Sequence, residues 1–169
     1  IAPSRHARSA RHPRLHWLQA DLGAPPPPLP RADVVFSLGP LDHFSRWWEA
    51  ARPQGAPRVI AFGSMSAQSK RESADPAERA LAARLVEAEQ RLAATCDRLG
   101  ADWTVLRPTL IYGAGLDRSL SPLARFGRRW HVMPALPGAT GLRQPVHAED
   151  LAAACVALWT RGVGARVTY

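Results

Sequence analysis

The sequence predicts an α/β fold, a Rossmann-type doubly wound parallel sheet that is incomplete at both ends. Two near-continuous apolar runs, 32–39 and 57–64, are typical of strands buried on both faces of a parallel sheet. A long amphipathic segment at 75–100 separates them from a third apolar run at 102–108. Strands that alternate with helices in this way indicate βαβ units with helices on both sides of the sheet.

The first part of the chain is predicted to hold a short strand and a stiff connector. Residues 14–22 are expected to form a strand that carries Leu15 and Trp17 on one face and ends at Asp21. The segment 23–32 is rich in proline, which excludes a helix or a central strand. We expect a stiff surface loop there, and a polyproline recognition motif is the alternative.

The segment 75–100 is the clearest helix in the sequence. Asp75 is predicted to cap it, with Pro76 at the first helical position and Glu78 completing a capping box. Gly100 is expected to end it. Its apolar residues recur at spacings of three and four and predict one stripe that faces a core: Leu81, Leu85, Ala88, Leu92, Cys96 and Leu99.

The remaining elements complete the alternation. A short helix is expected at 41–51, an extended piece running into a helix at 148–159, and a last strand from 165. Pro108 is expected to end the strand at 102–108. In parallel sheets of this kind, ligands bind beyond the carboxyl ends of the strands. The candidate site residues are therefore Asp21, Ser37 to Pro40, Gly63 to Ser66, and Arg107 to Tyr112.

Composition excludes several classes of protein. The net charge is +8, but 22 basic residues include a single lysine, and the excess of Arg, Ala, Pro and Gly is typical of a bacterium with a GC-rich genome. The densest basic cluster, 4–16, has no interleaved aromatic residues, so specific nucleic-acid binding is not expected. No apolar run reaches the roughly 18 residues that span a bilayer, so no membrane partner is expected.

The two cysteines, Cys96 and Cys155, imply neither a disulfide framework nor a metal site. We expect both to be small buried residues, which fits a reducing cytoplasm.

Several motifs together resemble one family. They are DVVFSLG (33–39), VIAFGS (59–64), EAEQRLAA (87–94), LRPTLIYG (106–113) and QPVHAEDLA (144–152). In this order they resemble the extended or atypical short-chain dehydrogenase/reductase superfamily, and within it the NAD-dependent epimerase/dehydratase proteins. The resemblance covers nearly the whole chain. It implies an NAD or NADP cofactor, a small-molecule or nucleotide-sugar substrate, and oxidoreductase or isomerase chemistry.

The same resemblance implies one truncated NAD(P)-binding domain over 1–169, with 109–147 contributing to the substrate side. Asp21 and Leu22 would lie by the adenine ring, and Arg5 would meet the 2′-phosphate of NADP. The backbone of Ser37, Leu38 and Gly39 would lie under the adenosine ribose and the pyrophosphate.

On the nicotinamide side, the resemblance implies that Pro108, Thr109 and Leu110 flank the ring. Ser64 would be the catalytic serine that hydrogen-bonds the reacting oxygen. Arg143 would bind the substrate's diphosphate.

Structural alternatives accompany these roles. Asp21 would otherwise form a turn at the strand end, Ser64 would cap a turn, and Arg143 would be a solvated surface charge. Arg107 is predicted to be an ion-paired strand-end residue rather than a catalytic group. His147 is predicted to be a structural residue near a helix start.

Two features of the family pattern are missing. The glycine-rich GxxGxxG turn after a first strand is absent from the 169 residues, and we expect a fragment truncated at both ends or a gene product that has lost these parts. The Tyr-x-x-x-Lys pair is replaced by Leu81 and Leu85, which we expect to serve packing only. Lys70 would be the nearest alternative cation, and Tyr112 the alternative acid.

Three functions therefore remain open. The first is an NAD(P)-dependent epimerase/dehydratase-like oxidoreductase, and the second is a non-catalytic dinucleotide-binding module that acts as a redox sensor or a partner scaffold. The third is a basic nucleic-acid-associated domain. Oligomerisation is possible in each case.

Overall fold

Strands and helices alternate along the chain, as the sequence predicts. The computed structural model describes residues 1–9, 12–118, 120–133 and 144–169. The elements are β1 (Ala2–Ser4), β2 (Trp17–Gln19), β3 (Val34–Ser37), α1 (Leu41–Ala51), β4 (Arg58–Phe62), α2 (Ser66–Ser69), α3 (Pro76–Leu99), β5 (Trp103–Leu106), β6 (Leu110–Tyr112), α4 (Leu120–Trp130), β7 (Pro145–His147), α5 (Ala148–Arg161) and β8 (Val167–Thr168).

All strand pairs described are parallel. The main sheet has four strands in the order β3-β4-β5-β8, while β1 pairs with β2 and β6 pairs with β7. This confirms the α/β class with parallel sheets, and the arrangement is consistent with a Rossmann-like fold. Because the strands are parallel, β3, β4 and β5 end at the same edge of the sheet.

The core lies where α1 and α3 pack on β4 and β5. Trp48 of α1 and Leu92 of α3 are almost completely buried, as are Val59 of β4 and Val105 of β5. Burial of these large apolar side chains is the main favourable term that holds the two helices on the sheet. In the described residues, no helix is both long enough and apolar enough to span a bilayer.

Two expectations about strands were wrong. The strand expected at 14–22 is limited to β2, three residues long. The strand expected at 32–39 is shorter too, and it is not buried on both faces, since Phe36 remains 39% exposed. β3 is an edge strand of the main sheet, with a neighbouring strand on one side only among the described residues. The Phe36 ring meets Trp159 of α5 edge-on, with ring centroids 6.4 Å apart.

Both ends of α3 are as predicted. The Asp75 carboxylate accepts a hydrogen bond of 2.8 Å from the backbone N–H of Ala77, and Pro76 is the first helical residue. Gly100 follows the helix with a φ of 65°, a left-handed conformation that suits glycine.

The predicted capping box is wrong. The Glu78 carboxylate accepts hydrogen bonds from Lys70 Nζ at 2.7 Å and from Ser73 Oγ at 2.6 Å. The backbone N–H of Asp75, which a capping box would assign to Glu78, donates to Ser73 Oγ instead. The turn before the helix therefore satisfies this N–H, and the ammonium group of Lys70 competes for the carboxylate.

The region after β5 includes two elements that the sequence did not indicate, β6 and α4. No described residue of α4 is buried. His147 caps α5, because its Nδ1 accepts the N–H of Glu149 at 3.3 Å, which confirms the structural role expected for it. Gly113 has a φ of 132°, and a Cβ there would lie 2.9 Å from the Nε2 atom of His147, so the close approach of β6 and β7 requires glycine.

Candidate functional site

A cavity of about 330 Å³ opens at the edge where β3, β4 and β5 end. Its volume lies at the lower end of the range of about 300–1,000 Å³ for small-molecule sites. Four of the residues to which the family resemblance assigned a role line it: Leu38, Gly39, Ser64 and Pro108. The remaining wall comes from Pro40, Leu41, Asp42, Phe62, Gly63, Leu81, Arg84, Leu85 and Ile111.

Ser64 follows β4 and lines the cavity from a turn. Its Oγ atom accepts the N–H of Ser66 at 3.2 Å, and its carbonyl accepts the N–H of Ala67 at 2.9 Å. Ser64 therefore caps a turn, which is the structural alternative expected for it. Its hydroxyl hydrogen is not used by these bonds, so the same side chain can donate to a ligand oxygen while it caps the turn.

The loops that follow β4 and β5 are tied together. The N–H of Met65 donates to the carbonyl of Pro108 at 3.2 Å, and the N–H of Gly63 donates to the carbonyl of Leu106 at 2.8 Å. A Cβ at position 63 would lie 2.8 Å from the Oε1 atom of Glu89, so the approach of α3 to this loop requires glycine. These contacts fix the loops after β4 and β5, which form two walls of the cavity, relative to each other.

Arg107, at the tip of β5, forms an ion pair with Glu89 of α3. Its Nε donates to Glu89 Oε1 at 2.9 Å, and its Nη2 donates to Glu89 Oε2. The Glu89 side chain is only 7% exposed, and that of Arg107 is 23% exposed. The hydrogen bond to Glu89 raises the pKa of Arg107 above its ordinary value. The ion-paired role predicted for Arg107 is confirmed, and its cation joins the sheet edge to the helix.

Sequence reasoning missed Glu89. It lies in the quoted EAEQRLAA motif, yet its position beside the apolar stripe was not used. The signal was available, because a carboxylate at a buried helix position requires a cationic partner.

Leu81 and Leu85 line the cavity and are half-buried. Neither belongs to the buried core, so the expectation that they lie in a stripe facing the core is wrong, while a role in packing only stays a prediction. The residues of α3 that belong to the core cluster lie further along, at Ala88, Leu92 and Cys96. Ala82, Glu89 and Thr95 are also buried, on neighbouring faces of the helix. The helix crosses the sheet edge, so its first turns overhang the cavity and its later turns cover the core.

The charged residue that α3 contributes to the cavity is Arg84. Lys70, the cation that the sequence suggested, is bound to Glu78 and does not line the cavity. Arg84 lies three residues from Leu81 and next to Leu85, so the helical period places all three on one side. The sequence shows that these three residues share one side of the helix. It does not show that this side faces a cavity.

The residues assigned to the adenine ring and to the 2′-phosphate do not line the cavity. Asp21 is exposed, and its Oδ1 atom accepts the N–H of Gly23 at 2.9 Å, so its turn-forming role is present. Leu22 packs against the core. Arg5 is exposed, and its carbonyl accepts a hydrogen bond of 3.4 Å from Gln19.

Other assigned residues have structural contacts near the cavity. Ser37 is buried at the end of β3. The Thr109 hydroxyl donates to the carbonyl of Gln144, and Leu110 pairs with Pro145 between β6 and β7. Arg143 lies outside the described residues.

Tyr112, the alternative acid, does not line the cavity. Its ring lies edge-on to the ring of His147, with centroids 5.1 Å apart.

Both cysteines are buried and free, as expected. Burial raises the pKa of the Cys96 thiol to about 11, and it raises that of Cys155 as well. Because the thiolate is the reactive form, neither is suited to nucleophilic catalysis at neutral pH. Across the part of the chain that the structure describes, no three His, Cys, Asp or Glu side chains form a metal-binding group.

The fold and the cavity define an α/β protein with a ligand-sized, mainly apolar cavity at the carboxyl edge of a parallel sheet. No protein-family model matches the chain, and no curated protein matches it in sequence. The resemblance to short-chain dehydrogenases/reductases therefore stays a prediction.

Proposed function

We propose that this chain is the dinucleotide-binding part of an NAD(P)-dependent epimerase/dehydratase-like oxidoreductase. Its substrate is a small molecule or a nucleotide sugar. The observation that carries the proposal is the convergence of Leu38, Gly39, Ser64 and Pro108 on one cavity. These residues come from segments far apart in the sequence, and the family resemblance assigned a cofactor or catalytic role to each.

The residues fit one end of the cofactor better than the other. The apolar wall and the Pro108 loop suit a nicotinamide ring, and Gly39 leaves the wall open because no atom lies within 4 Å of where its Cβ would be. A glycine-rich turn that would bind the pyrophosphate is not among the 169 residues. The site therefore supports binding of the nicotinamide half through this chain's own residues.

When bound, the cofactor supplies hydride transfer. The chain's own contribution is positioning: the Ser64 hydroxyl would donate to the reacting oxygen of the substrate, and Leu81 and Leu85 would keep water from the reacting atoms. The two buried free thiols support a cytoplasmic location for this chemistry.

A second function, a non-catalytic dinucleotide-binding module, is favoured by one observation. By the family resemblance, Leu81 and Leu85 stand at the places of the missing Tyr and Lys, and both line the cavity. Neither can carry a proton, and loss of general acid–base assistance lowers a rate by about 10²–10⁴-fold. Such a protein would retain cofactor binding and lose turnover.

The test is a fluorescence titration of the chain with NADH and NADPH. We expect saturable binding that is abolished by Gly39→Phe, which fills the cavity, and retained by Ala83→Phe, an equal change at an exposed position of α3. Consumption of NADH with a panel of nucleotide sugars supports the oxidoreductase, and binding without consumption supports the module.

The gene provides a second test. An in-frame strand followed by GxxGxxG, encoded upstream of the codon for Ile1, supports the proposal. Absence of such a segment together with absence of NADH and NADPH binding contradicts it. DNA affinity that falls steeply with salt, without cofactor binding, would favour the nucleic-acid hypothesis instead.

A further inference from the structure

Arg84 is a cation in the cavity for which the described part of the chain provides no ion-pair partner. It is exposed and lines the cavity, and no carboxylate among the described residues forms an ion pair with it. The acidic residue closest to it along α3 is Glu87, three positions further on. Glu87 pairs with Arg91 instead.

The acidic residue of the cavity does not neutralise Arg84. Asp42 lies in the first turn of α1, where its Oδ1 atom accepts the N–H of His43 at 3.0 Å. The helix dipole stabilises a carboxylate at this position. The negative charge of Asp42 is therefore stabilised by α1 itself.

The surface around Arg84 is apolar. Leu81 and Leu85 flank it on α3, and Phe62 and Ile111 lie on other walls of the cavity. A cation beside a low-dielectric wall attracts an anion more strongly than a fully solvated cation does. The cavity therefore combines a place for a short carbon skeleton with the cation of Arg84, which forms no ion pair with Asp42, the carboxylate of the same cavity.

We propose that Arg84 selects a substrate with an anionic group, a carboxylate or a phosphate, whose carbon skeleton lies against Leu81 and Leu85. Arg84 is then a specificity-determining residue, and it stands beside the places where the Tyr–Lys pair is missing. The assignment of this anion to the substrate rests on the proposed function, in which the cavity holds the reacting groups.

The test is calorimetric titration of the chain with three probes that each contain six carbon atoms in a linear chain: hexanoate, hexyl phosphate and hexanamide. At least one anion should bind about tenfold more tightly than the neutral amide, the ratio expected for one charge-assisted hydrogen bond. The tighter anion identifies the carboxylate or the phosphate as the group recognised.

Three variants locate the preference. Arg84→Gln should remove it, and Arg84→Lys should retain part of it because the charge is kept and the planar fork is lost. The matched control is Arg98→Gln on the same helix, at a side chain that is 62% exposed and does not line the cavity. It should leave the preference unchanged. Thermal unfolding of each variant verifies that the exposed substitutions leave the chain folded.

Three results would overturn this proposal: no binding of either anion, equal affinity for anions and amide, or a preference that survives in Arg84→Gln. None of these titrations contains NADH, so the two proposals fail separately. An anion preference in a chain that binds neither NADH nor NADPH, and whose gene encodes no GxxGxxG segment upstream, leaves Arg84 as an anion site and removes the proposed function. Cofactor binding without an anion preference supports the proposed function and removes the anion site at Arg84.

Discussion

The two halves of α3 have the same kind of sequence and different environments. In residues 76–86, Leu81 and Leu85 are half-buried and line the cavity. In residues 87–99, Leu92 and Cys96 are completely buried in the core. Hydrophobic periodicity reports which side of a helix faces the protein, but it does not distinguish a filled interior from an open cavity.

The Glu89–Arg107 ion pair lies where the two environments meet. It joins α3 to the tip of β5 beside Gly63, at the point where the sheet edge ends and the cavity begins. Four predictions test whether the halves differ as described, in order of decreasing effect.

Apart from the control variant Leu92→Lys described below, loss of the ion pair has the largest expected effect. Arg107→Leu should lower the free energy of unfolding by about 4 kcal/mol, because it leaves the buried Glu89 carboxylate without its cation. Urea denaturation monitored by circular dichroism gives this value. In the double variant Arg107→Leu with Glu89→Gln, much of the loss should be recovered, since no unpaired charge remains. Equal losses in the single and double variants would contradict this explanation.

Two equal truncations compare the halves directly. Leu92→Ala should lower the free energy of unfolding by about 3 kcal/mol, because it leaves a void in the packed core. Leu85→Ala should lower it by about 1 kcal/mol, since the removed atoms already face an open cavity. The same urea titrations measure both. Similar values would mean that the two halves are equally packed.

Polar substitution should also be tolerated in the first half. The pair Leu81→Tyr and Leu85→Lys should change the free energy of unfolding by less than about 1 kcal/mol, because the phenol and the ammonium group can reach the cavity. Leu92→Lys is the matched control, and it should prevent folding because it buries an unpaired charge. Thermal melts of the three proteins distinguish these outcomes. Severe destabilisation by the Leu81/Leu85 pair would restore the packing interpretation.

The smallest expected effect concerns the start of α3. The hydrogen bond from Lys70 holds the pKa of the Glu78 carboxyl below its ordinary value of 4.5. A carboxyl with a lowered pKa in the folded state stabilises the fold above its unfolded pKa, and this contribution is lost as the pH falls through the folded pKa.

The difference in Tm between the wild-type chain and Glu78→Gln should therefore be present near neutral pH and shrink as the pH falls below about 4.5. The exposed Glu72→Gln, in the turn before α3, is the control and should show a smaller change. A difference that does not vary with pH would mean that Glu78 acts through its shape and not through its charge.

Much of the fold was predictable because long periodic segments carry strong local signals. Helix α3 began and ended where Asp75, Pro76 and Gly100 indicated, and α5 began at Ala148. The elements that the sequence did not indicate, β1, α2, β6 and α4, are short or lack a buried face. Short segments provide too few positions for a period to be recognised.

The candidate site was predictable only in part. Leu38, Gly39, Ser64 and Pro108 were selected because parallel strands end at one edge, and all four line one cavity. Arg84 was missed because its importance depends on what lies opposite the helix. Helical spacing alone does not contain that information.

The sequence by itself determined the alternation of strands and helices, the limits of the long helices and the edge at which a site would form. These follow from local hydrogen bonding and from the periods of apolar residues, which act over a few residues. Only the tertiary structure decided that Glu89 neutralises Arg107, that Lys70 is bound to Glu78, and that Arg84 lines the cavity. The physical reason is that charge pairing and cavity walls depend on distances between segments far apart in the chain, and packing sets those distances.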